Sequence, residues 1–311
     1  MVRMSEATFL SSDGKTPIRY REYMPEGEAK AIVQIAHGIA EHIERYDHFA
    51  RFLAENGFIV VLNDHLGHGG SILALEDMGY FSDEHGWDHV VEDMHALHDL
   101  ACARFPGKPF YLFGHSMGSF LTRTYIIRYQ SGLDGVILSG TGHQPRLLIK
   151  GGLAVAALET KRRGSRYKSR LLYEMAFGSY NKGIVKLRTN CDWLSRDDAA
   201  VDAYIADPRC GWIPSVGMYA DMFSGIDFIT QSQNLKKMKK TLPVHFLSGD
   251  CDPVGEKGKG VARAYQAFAK AGMKDLSYRF YPKGRHEMLN ELNRDEVYDD
   301  ILKWLCAKCG K

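Results

Sequence analysis

A serine flanked by two glycines is the residue of this sequence whose setting points most directly to chemistry. Gly114-His115-Ser116-Met117-Gly118 follows an apolar run and precedes a helical pattern. The G-x-S-x-G spacing allows a sharp strand-to-helix turn that exposes the serine hydroxyl, and the start of the helix favours negative charge nearby. The pattern therefore predicts that Ser116 is a nucleophile.

A serine hydroxyl needs a general base, and that base needs an orienting carboxylate. After a serine turn of this kind, the acid and then the histidine follow along the chain. Outside residues 143–240, two histidines come after Ser116: His245 lies in an apolar strand pattern, and His286 lies in a loop after the last such pattern. The loop position favours His286 as the base, whereas His245 is expected to be a packed strand residue.

Two aspartates compete for the role of the acid. Asp250 and Asp252 both follow the apolar run at 243–248. Asp250 is expected at the end of the strand. Asp252 is expected further into the loop, from where a carboxylate can extend toward the loop of His286. Spacing by itself leaves both aspartates open.

The frame for these residues is an alternation of apolar, β-rich runs with amphipathic patterns. Such an alternation predicts an α/β fold in which a mostly parallel sheet is covered by helices on both faces. The carboxyl ends of parallel strands meet at one edge, where distant loops can converge. The predicted strands are 7–11, 17–23, 31–37, 58–63, 109–113, 135–139, 243–248 and 276–281, the first two forming a hairpin, and the predicted helices are 42–56, 87–104, 117–131, 257–271 and 292–306.

Residues 143–240 interrupt the alternation because they contain no strand pattern. A structureless loop of that length is implausible in a compact protein. The segment holds an apolar helical stretch, a basic run from Lys161 to Arg170, and a part rich in Trp, Met, Tyr and Phe. We expect a helical cap at 143–240, inserted into a core formed by 1–142 and 241–311. Its apolar side chains either line an acyl-chain site or form the cap's own core.

The tetrahedral intermediate of acyl transfer requires two N–H donors, which form an oxyanion hole. The first is expected from Met117, the residue after the nucleophile. The second is expected from the loop after the strand at 31–37, and the amide of Ile39 is the candidate. His37 is expected to brace that loop without taking part in the reaction.

Three motifs together carry a family resemblance. HGIAEHIERY at 37–46, DHLGHG at 64–69 and GHSMG at 114–118 closely resemble the monoacylglycerol lipase and lysophospholipase group of α/β-hydrolases. The resemblance covers 1–142 and 241–311, and it implies an α/β-hydrolase fold. It also implies Ser116, Asp252 and His286 as the catalytic triad, with Asp252 as the last residue of a Gly-x-x-Asp that begins at Gly249, and Ile39 and Met117 as oxyanion donors. The length and basic content of 143–240 depart from the family pattern, so the acyl substrate stays open.

The expected activity is hydrolysis of an acyl ester through an acyl-enzyme on Ser116, with no cofactor. Monoacylglycerol, lysophospholipid and short soluble esters all fit this expectation. An amidase or peptidase that uses the same triad would need an anchor for an amine, for which acidic residues at Asp197, Asp198 and Asp202 are available. A non-catalytic, hydrolase-like binding protein is disfavoured, because such proteins usually lack a member of the triad.

Histidines outside the triad raise the alternative of a metal site, but no metal is expected. Only His95 and His98 share a face of one predicted helix, and the 64–69 motif belongs to the family pattern. The pair Cys306 and Cys309 lacks a second pair that would complete a tetrahedral site. The full set of candidate ligands is His65, His68, His89, His95 and His98 with Asp64 and Asp93.

Composition limits the partners and the compartment. The 40 Lys and Arg residues nearly balance the 38 Asp and Glu residues, and a formal charge of +2 gives no bulk attraction to nucleic acid or an anionic membrane. Membrane contact is expected to be at most peripheral, through the cap. Six scattered cysteines favour reduced thiols, and the absence of a signal-peptide pattern or a long apolar stretch favours a cytoplasmic protein. The sequence does not indicate an oligomeric state.

Overall fold

The apolar runs of the sequence form the eight strands of one sheet. The computed structural model describes residues 2–309, and the strand order across the sheet is β1-β2-β4-β3-β5-β6-β7-β8. β1 pairs antiparallel with β2, β2 pairs antiparallel with β4, and all other neighbouring strands are parallel. The strands are β1 (Arg3–Leu10), β2 (Pro17–Met24), β3 (Ala31–Ala36), β4 (Phe58–Asn63), β5 (Phe110–His115), β6 (Gly135–Ser139), β7 (Val244–Gly249) and β8 (Leu276–Tyr281).

The helices of the core cover both faces of the sheet. α1 (Asp47–Glu55) and α10 (Arg294–Cys309) pack on one face, while α2 (Gly86–Arg104), α3 (Met117–Arg128) and α9 (Lys259–Lys270) pack on the other. The remaining helices are α4 (Arg146–Arg163), α5 (Arg170–Phe177), α6 (Asp198–Ala206), α7 (Val216–Thr230) and α8 (Ser232–Leu235). The predicted α/β-hydrolase fold class is confirmed.

The central strands are buried on both faces, which explains their nearly continuous apolar sequence. Every residue of β3 is buried. Ile32 packs into the apolar cluster on the side of α2 and α3, whereas Val33 and Ile35 pack on the side of α1 and α10. Because side chains alternate along a strand, β3 therefore contributes to the apolar clusters on both faces of the sheet.

Several element boundaries differ from the predicted ones for local reasons. The predicted helix at 42–56 is divided into a 3-10 turn (Ile43–Tyr46) and α1. The start of the 3-10 turn is held by a hydrogen bond from the Ile43 amide to Asp64. α3 ends at Arg128 instead of 131, and Tyr129 is extended. β1 starts at Arg3 instead of residue 7, since it pairs with β2 along its whole length.

Residues 143–240 hold five helices, α4 to α8, between β6 and β7. α4 packs along α7, and α7 also contacts α2 and α3 of the core. Part of the basic run is tied to the core: Arg166 pairs with Asp77 at 2.7 Å, and the Lys168 ammonium donates to the Met78 carbonyl. α7, with α4 packed along it, therefore lies on the side of the sheet that carries α3.

Two further expectations concern the cell compartment. In residues 2–309, no helix has both the length and the apolar character needed to cross a membrane. All six cysteines are free thiols. A cytoplasmic location stays a prediction.

Candidate active site

Ser116 lies at the turn between β5 and α3 in a strained backbone conformation, with φ 53° and ψ −121°. A side-chain-bearing residue adopts such angles only where the surrounding structure enforces them. The two flanking glycines allow this turn. A β-carbon on Gly114 would collide with the Gly118 carbonyl and the Thr122 side chain, and a β-carbon on Gly118 would collide with the Ala36 carbonyl. The predicted strand–serine–helix turn is present.

His286 and Asp252 come from different loops and contact each other. His286 follows β8, Asp252 follows β7, and Nδ1 of His286 lies 3.0 Å from Oδ1 of Asp252. Asp252 is 0% exposed, and it also accepts hydrogen bonds from the Val254 amide at 2.9 Å and from the Ser248 hydroxyl at 3.3 Å. The carboxylate is thus fixed in place, and Nδ1 of His286 carries the proton that faces it. Nε2 of His286 is then free to act as a base.

The other two candidates lie away from this contact. Asp250 is exposed, and its carboxylate accepts a hydrogen bond from the Lys283 amide at 2.7 Å. His245 lies inside β7, where Nδ1 is 2.8 Å from the Ser277 hydroxyl and the ring stacks on Trp304. Asp250 therefore stabilises the turn after β8, and His245 packs in the sheet as predicted.

Charges around His286 favour its protonated form. Burial lowers the pKa of His286, but the charge and hydrogen bond of Asp252 outweigh burial, so that its pKa is raised above the ordinary value. The neighbouring His115 ring lies 4.7 Å from the His286 ring. Burial, together with the repulsion from His286, lowers the pKa of His115 to about 4, so His115 is neutral at working pH. His286 is the histidine of this pair that can carry charge.

The loop after β3 approaches Ser116 closely. A β-carbon on Gly38 would lie 3.1 Å from Cβ of Ser116, which shows how near the two backbones are. Ile39 and Met117 both line the space next to Ser116. Within residues 2–309, the amides of Ile39 and Met117 donate to no acceptor. Two backbone donors are therefore available beside the serine, at the positions predicted for the oxyanion hole.

A buried ionic network, which was not predicted from the sequence, supports this loop. The Glu41 carboxylate accepts hydrogen bonds from the Gly38 amide, from the Tyr46 hydroxyl at 2.8 Å and from Arg45 at 2.6 Å. Arg45 also pairs with both oxygens of Glu287, at 2.7 and 2.6 Å. The charge of Arg45 and the other polar contacts outweigh burial and lower the pKa of Glu41 to about 2. The i, i+4 spacing of Glu41 and Arg45 was the available signal.

Two residues of the segment 143–240, Tyr204 and Gly211, also hold this loop. Ala40 has a φ of 56°, and its carbonyl accepts hydrogen bonds from the Gly211 amide at 3.0 Å and from the Tyr204 hydroxyl at 3.1 Å. The Tyr204 ring also lies over the Arg45 guanidinium at 4.8 Å. The conformation of the oxyanion loop therefore depends on contacts from outside the core.

His37 braces the loop after β3. The His65 amide donates to Nε2 of His37 at 2.9 Å, so the other ring nitrogen of His37 donates to the Gly38 carbonyl at 2.7 Å.

The candidate metal ligands of the sequence do not all lie together. Asp93 binds the β1–β2 turn through Ser11 and Ser12. Within residues 2–309, two groups of side chains are close enough to share a metal ion, and neither contains a triad residue: His42 with Asp207 and Cys210, and His95 with His98 and Asp99.

Two cavities of different character meet at Ser116. The larger, of about 320 Å³, is bounded mainly by apolar side chains, among them Phe120, Ile149, Met222, Phe223 and Ile226. The smaller, of about 40 Å³, is bounded by His286, by the carboxylates Glu41 and Glu287, and by aromatic side chains such as Trp193 and Trp212. Ile39, Ser116 and Phe177 border both cavities. A molecule that spans the serine would have one end in each cavity, and the ionised side chains beside His286 line only the smaller one.

The sequence is similar to curated lipases over nearly its whole length. A Monoacylglycerol lipase of Mycolicibacterium smegmatis is 28% identical over 308 residues, which cover 97% of each chain. A Monoglyceride lipase of Homo sapiens is 25% identical over 295 residues, which cover 93% of this chain and 86% of the human one. The predicted resemblance to monoacylglycerol lipases is confirmed.

The fold is similar to that of a solved esterase. A thermostable carboxyl esterase from Bacillus coagulans, determined in complex with glycerol, superimposes with a TM-score of 0.91 at 29% identity, over 98% of this chain and 99% of the esterase. A family model described as Serine aminopeptidase, S33 matches residues 27–293, which is most of the chain. The chain therefore belongs to the Serine aminopeptidase, S33 family of α/β-hydrolases.

Proposed function

We propose that this protein is a serine ester hydrolase that cleaves acyl esters through an acyl-enzyme on Ser116. The observation that carries the proposal is the 3.0 Å contact between buried His286 and Asp252, next to a serine in a strained turn that borders the same cavity as His286. A neutral histidine with a fixed tautomer, beside a serine that borders the same cavity, is the arrangement that acyl transfer requires. Homologues named lipases support the same class of reaction.

In the first half of the reaction, Nε2 of His286 takes the hydroxyl proton while Oγ of Ser116 attacks the ester carbonyl. The carbonyl oxygen gains the negative charge, which the amides of Ile39 and Met117 stabilise. Asp252 stabilises the imidazolium that forms. When the intermediate collapses, the C–O bond to the alcohol breaks, His286 returns its proton to the alcohol, and the acyl group stays on Ser116.

In the second half, water takes the place of the alcohol. His286 accepts a proton from water, whose oxygen attacks the acyl carbonyl, and the same two amides hold the second oxyanion. Collapse of this intermediate releases the carboxylic acid and returns the proton to Ser116. The sequence of steps uses only residues of this chain and water.

The two cavities offer separate places for the acyl end and the alcohol end of an ester. The acyl chain is assigned to the larger, apolar cavity of about 320 Å³, and the alcohol is assigned to the smaller cavity beside His286, where Glu41 and Glu287 supply hydrogen-bond acceptors. A long-chain monoacylglycerol fits this assignment, because its glycerol carries two free hydroxyls. The names of the relatives support the same substrate.

A carboxylesterase that acts on short soluble esters is the second candidate, because the solved relative with a TM-score of 0.91 is a carboxyl esterase. A peptidase is less well supported, although the family description names an aminopeptidase. Asp197 caps α6, while Asp198 and Asp202 pair with Arg188. Glu41 and Glu287 beside Ser116 both pair with Arg45. Among the described residues, no carboxylate without an arginine partner borders the smaller cavity to receive an amine.

We also propose that residues 143–240 act as a cap on a core formed by 1–142 and 241–311. The cap contributes Phe177, Met222 and Phe223 to the apolar cavity, and Tyr204 to the support of the oxyanion loop. Closing a reactive site with such a segment excludes water and strengthens the electrostatic interactions within it.

The outer face of α4 supports peripheral membrane contact through this cap. Leu147 and Leu158 are 83% and 49% exposed, and with Gly151 and Ala154 they follow the i, i+4, i+7, i+11 spacing of one helix face. Lys150 and Lys161 are also exposed on α4. An apolar stripe with flanking lysines suits the interface of an anionic bilayer.

Active-site labelling tests the proposed nucleophile. A fluorophosphonate should phosphonylate the wild-type protein at Ser116, with loss of fluoride and the corresponding mass increase on the peptide that contains residue 116. Ser116→Ala should give no adduct. Ser119→Ala, which removes the buried hydroxyl that donates to the Ser116 carbonyl at 2.6 Å, should still be labelled because the reacting hydroxyl is unchanged. Labelling of Ser116→Ala at the wild-type rate would overturn the assignment.

A further inference from the structure

Arg123 is a fully buried arginine on α3 that the proposed reaction does not use. Its side chain is 0% exposed. Nη1 donates to the Gly142 carbonyl at 2.6 Å, and Nη2 donates to the Ile229 carbonyl at 3.3 Å. Nη2 also lies 3.3 Å from Nδ1 of His143. Arg123 is therefore held almost entirely by backbone carbonyls.

Burial of this charge is energetically unfavourable. Within residues 2–309, no carboxylate pairs with Arg123, and burial lowers the pKa of its guanidinium to about 9, which leaves it charged at neutral pH. A buried cation requires hydrogen-bond acceptors on its donors. Ile229 lies in the last turn of α7, where the helix dipole presents negative charge. The two carbonyls thus stabilise a charge that would otherwise disfavour the folded state.

The two acceptors lie in the two passages, the short segments in which the chain leaves the core for the cap and returns from it. Gly142 follows β6 and precedes α4, on the way into the cap. Ile229 is near the end of α7, from which the chain returns through α8 to β7. Because the guanidinium is planar and its donors are rigidly spaced, one side chain fixes both passages relative to α3.

The outgoing passage has a second support. Nε of Arg263 on α9 donates to the His143 carbonyl at 2.9 Å, and Arg263 pairs with Glu256. Burial, together with the charges of Arg123 and Arg263, lowers the pKa of His143 to about 4. His143 is therefore neutral, and its Nδ1 can accept a hydrogen bond from Arg123.

The same two passages lead directly into the walls of the apolar cavity. On the outgoing side, Leu148 and Ile149 border the cavity, and on the returning side Met222 and Ile226 border it. α3, which carries Arg123, contributes Phe120 to the cavity as well. Three walls of the apolar cavity, one from each passage and one from α3, are therefore positioned relative to one another by Arg123.

We propose that Arg123 is a positioning residue that clamps both ends of the cap to α3 and thereby sets the preference for long acyl chains. The proposal rests on the proposed function, in that the apolar cavity is taken as the acyl site. Arg123 does not border either cavity. Loss of the clamp should therefore affect binding of a long chain more than the reaction at Ser116.

The test compares Arg123→Met, which removes the charge and all donors, with Arg123→Lys, which keeps the charge but cannot reach both carbonyls in a fixed geometry. Arg51→Met controls for the loss of an arginine charge away from the cap, because Arg51 is a partly exposed residue that pairs with Asp47 on α1 of the core. Two quantities are measured: the ratio of kcat/KM for a long-chain monoacylglycerol to that for p-nitrophenyl acetate, and amide hydrogen exchange at 142–146 and 226–231. Fluorophosphonate labelling of Ser116 verifies that each variant is folded.

Arg123→Met is expected to lower the long-to-short ratio by about tenfold, mainly through KM, as loss of hydrogen bonds to a buried charge would produce. Exchange at both passages should accelerate, while exchange in β5 should not. Arg123→Lys should give a smaller decrease, and Arg51→Met none. A folded Arg123→Met with the wild-type ratio and wild-type exchange would overturn the proposal. If Arg123→Met does not label at Ser116, a wild-type ratio in Arg123→Lys would overturn it instead.

The hydrogen-exchange measurement needs no substrate, so it tests the clamp by Arg123 independently of the proposed ester hydrolysis. If the wild-type protein did not hydrolyse a long-chain ester, the proposed function would fail. Faster exchange at 142–146 and 226–231 in Arg123→Met would then still support the clamp, and unchanged exchange would exclude it.

Discussion

Asp252 accepts a hydrogen bond from Nδ1 of His286 at 3.0 Å, and both side chains are buried although they lie on different loops. The contact exists because β7 and β8 are parallel neighbours whose carboxyl ends lie side by side. Asp250 lies closer to the end of β7 than Asp252 does, yet its carboxylate binds the Lys283 amide instead. Each aspartate can therefore be tested separately.

Asp252→Asn should lower kcat/KM by about a thousandfold or more, because an amide favours the wrong tautomer of His286 and cannot stabilise its imidazolium. Asp250→Asn is the matched control. It keeps an acceptor for the Lys283 amide and should change kcat/KM by about twofold at most. The measurement is steady-state hydrolysis of a p-nitrophenyl ester. The reverse result, a large loss in Asp250→Asn with near-normal Asp252→Asn, would exchange the two roles.

The pH dependence of the reaction should follow His286. Because Asp252 raises the pKa of His286 despite burial, the imidazolium form persists to higher pH than for an ordinary histidine. The imidazolium cannot accept the Ser116 proton, so kcat/KM for an uncharged ester should decrease as the pH falls, with a midpoint above about 6.5. A midpoint clearly below about 6 would contradict the effect of Asp252. His245→Gln should leave the midpoint unchanged, because His245 faces Ser277 and Trp304.

Tyr204→Phe should weaken the support of the oxyanion loop. The change removes the hydroxyl that donates to the Ala40 carbonyl and keeps the ring over Arg45. The Gly211 amide still binds the same carbonyl, so kcat should decrease by about fivefold, the effect of one hydrogen bond, with little change in KM. Tyr173→Phe is the control, since Tyr173 and Tyr204 both border the smaller cavity beside His286. Equal effects of the two changes would argue against a specific role of the Tyr204 hydroxyl.

The exposed face of α4 should contribute to membrane association. Leu147→Asp combined with Leu158→Asp should reduce co-sedimentation with vesicles that contain anionic phospholipid, and turnover of a soluble ester should be unaffected. Leu10 and Leu292 are exposed leucines of the core, at 64% and 66%, and their double replacement by Asp is the control. Equal loss of vesicle binding in both double variants would show that the α4 face has no special role.

Much of the core could be predicted because its signals are local. The strand at 110–115, the strained turn at Ser116 and the helix that follows are specified by adjacent residues, and apolar runs identify the buried strands. The loop position of His286 and its separation from His245 also follow from local sequence. For this reason, the predicted fold class is confirmed. The residues predicted as base and acid, His286 and Asp252, are in contact, and Ser116 borders the same cavity as His286.

The supports of the site could not be predicted, because they join residues that are distant along the chain. Arg45 meets Glu287, and Tyr204 meets the Ala40 carbonyl, only after the sheet and the helices at 143–240 have formed. Arg123 appears in the sequence as one more residue of an amphipathic helix. Its burial against two carbonyls depends on the packing of α7 on α3, which no periodicity encodes.

The most direct test of the account measures fatty-acid release from a long-chain monoacylglycerol by the wild-type protein and by Ser116→Ala, with a short p-nitrophenyl ester assayed in parallel. We predict release by the wild-type protein and loss of both activities in Ser116→Ala, by at least about a thousandfold. Turnover of the short ester alone would keep the mechanism and move the substrate to small soluble esters. Fatty-acid release by Ser116→Ala at the wild-type rate would contradict the central claim that Ser116 is the nucleophile.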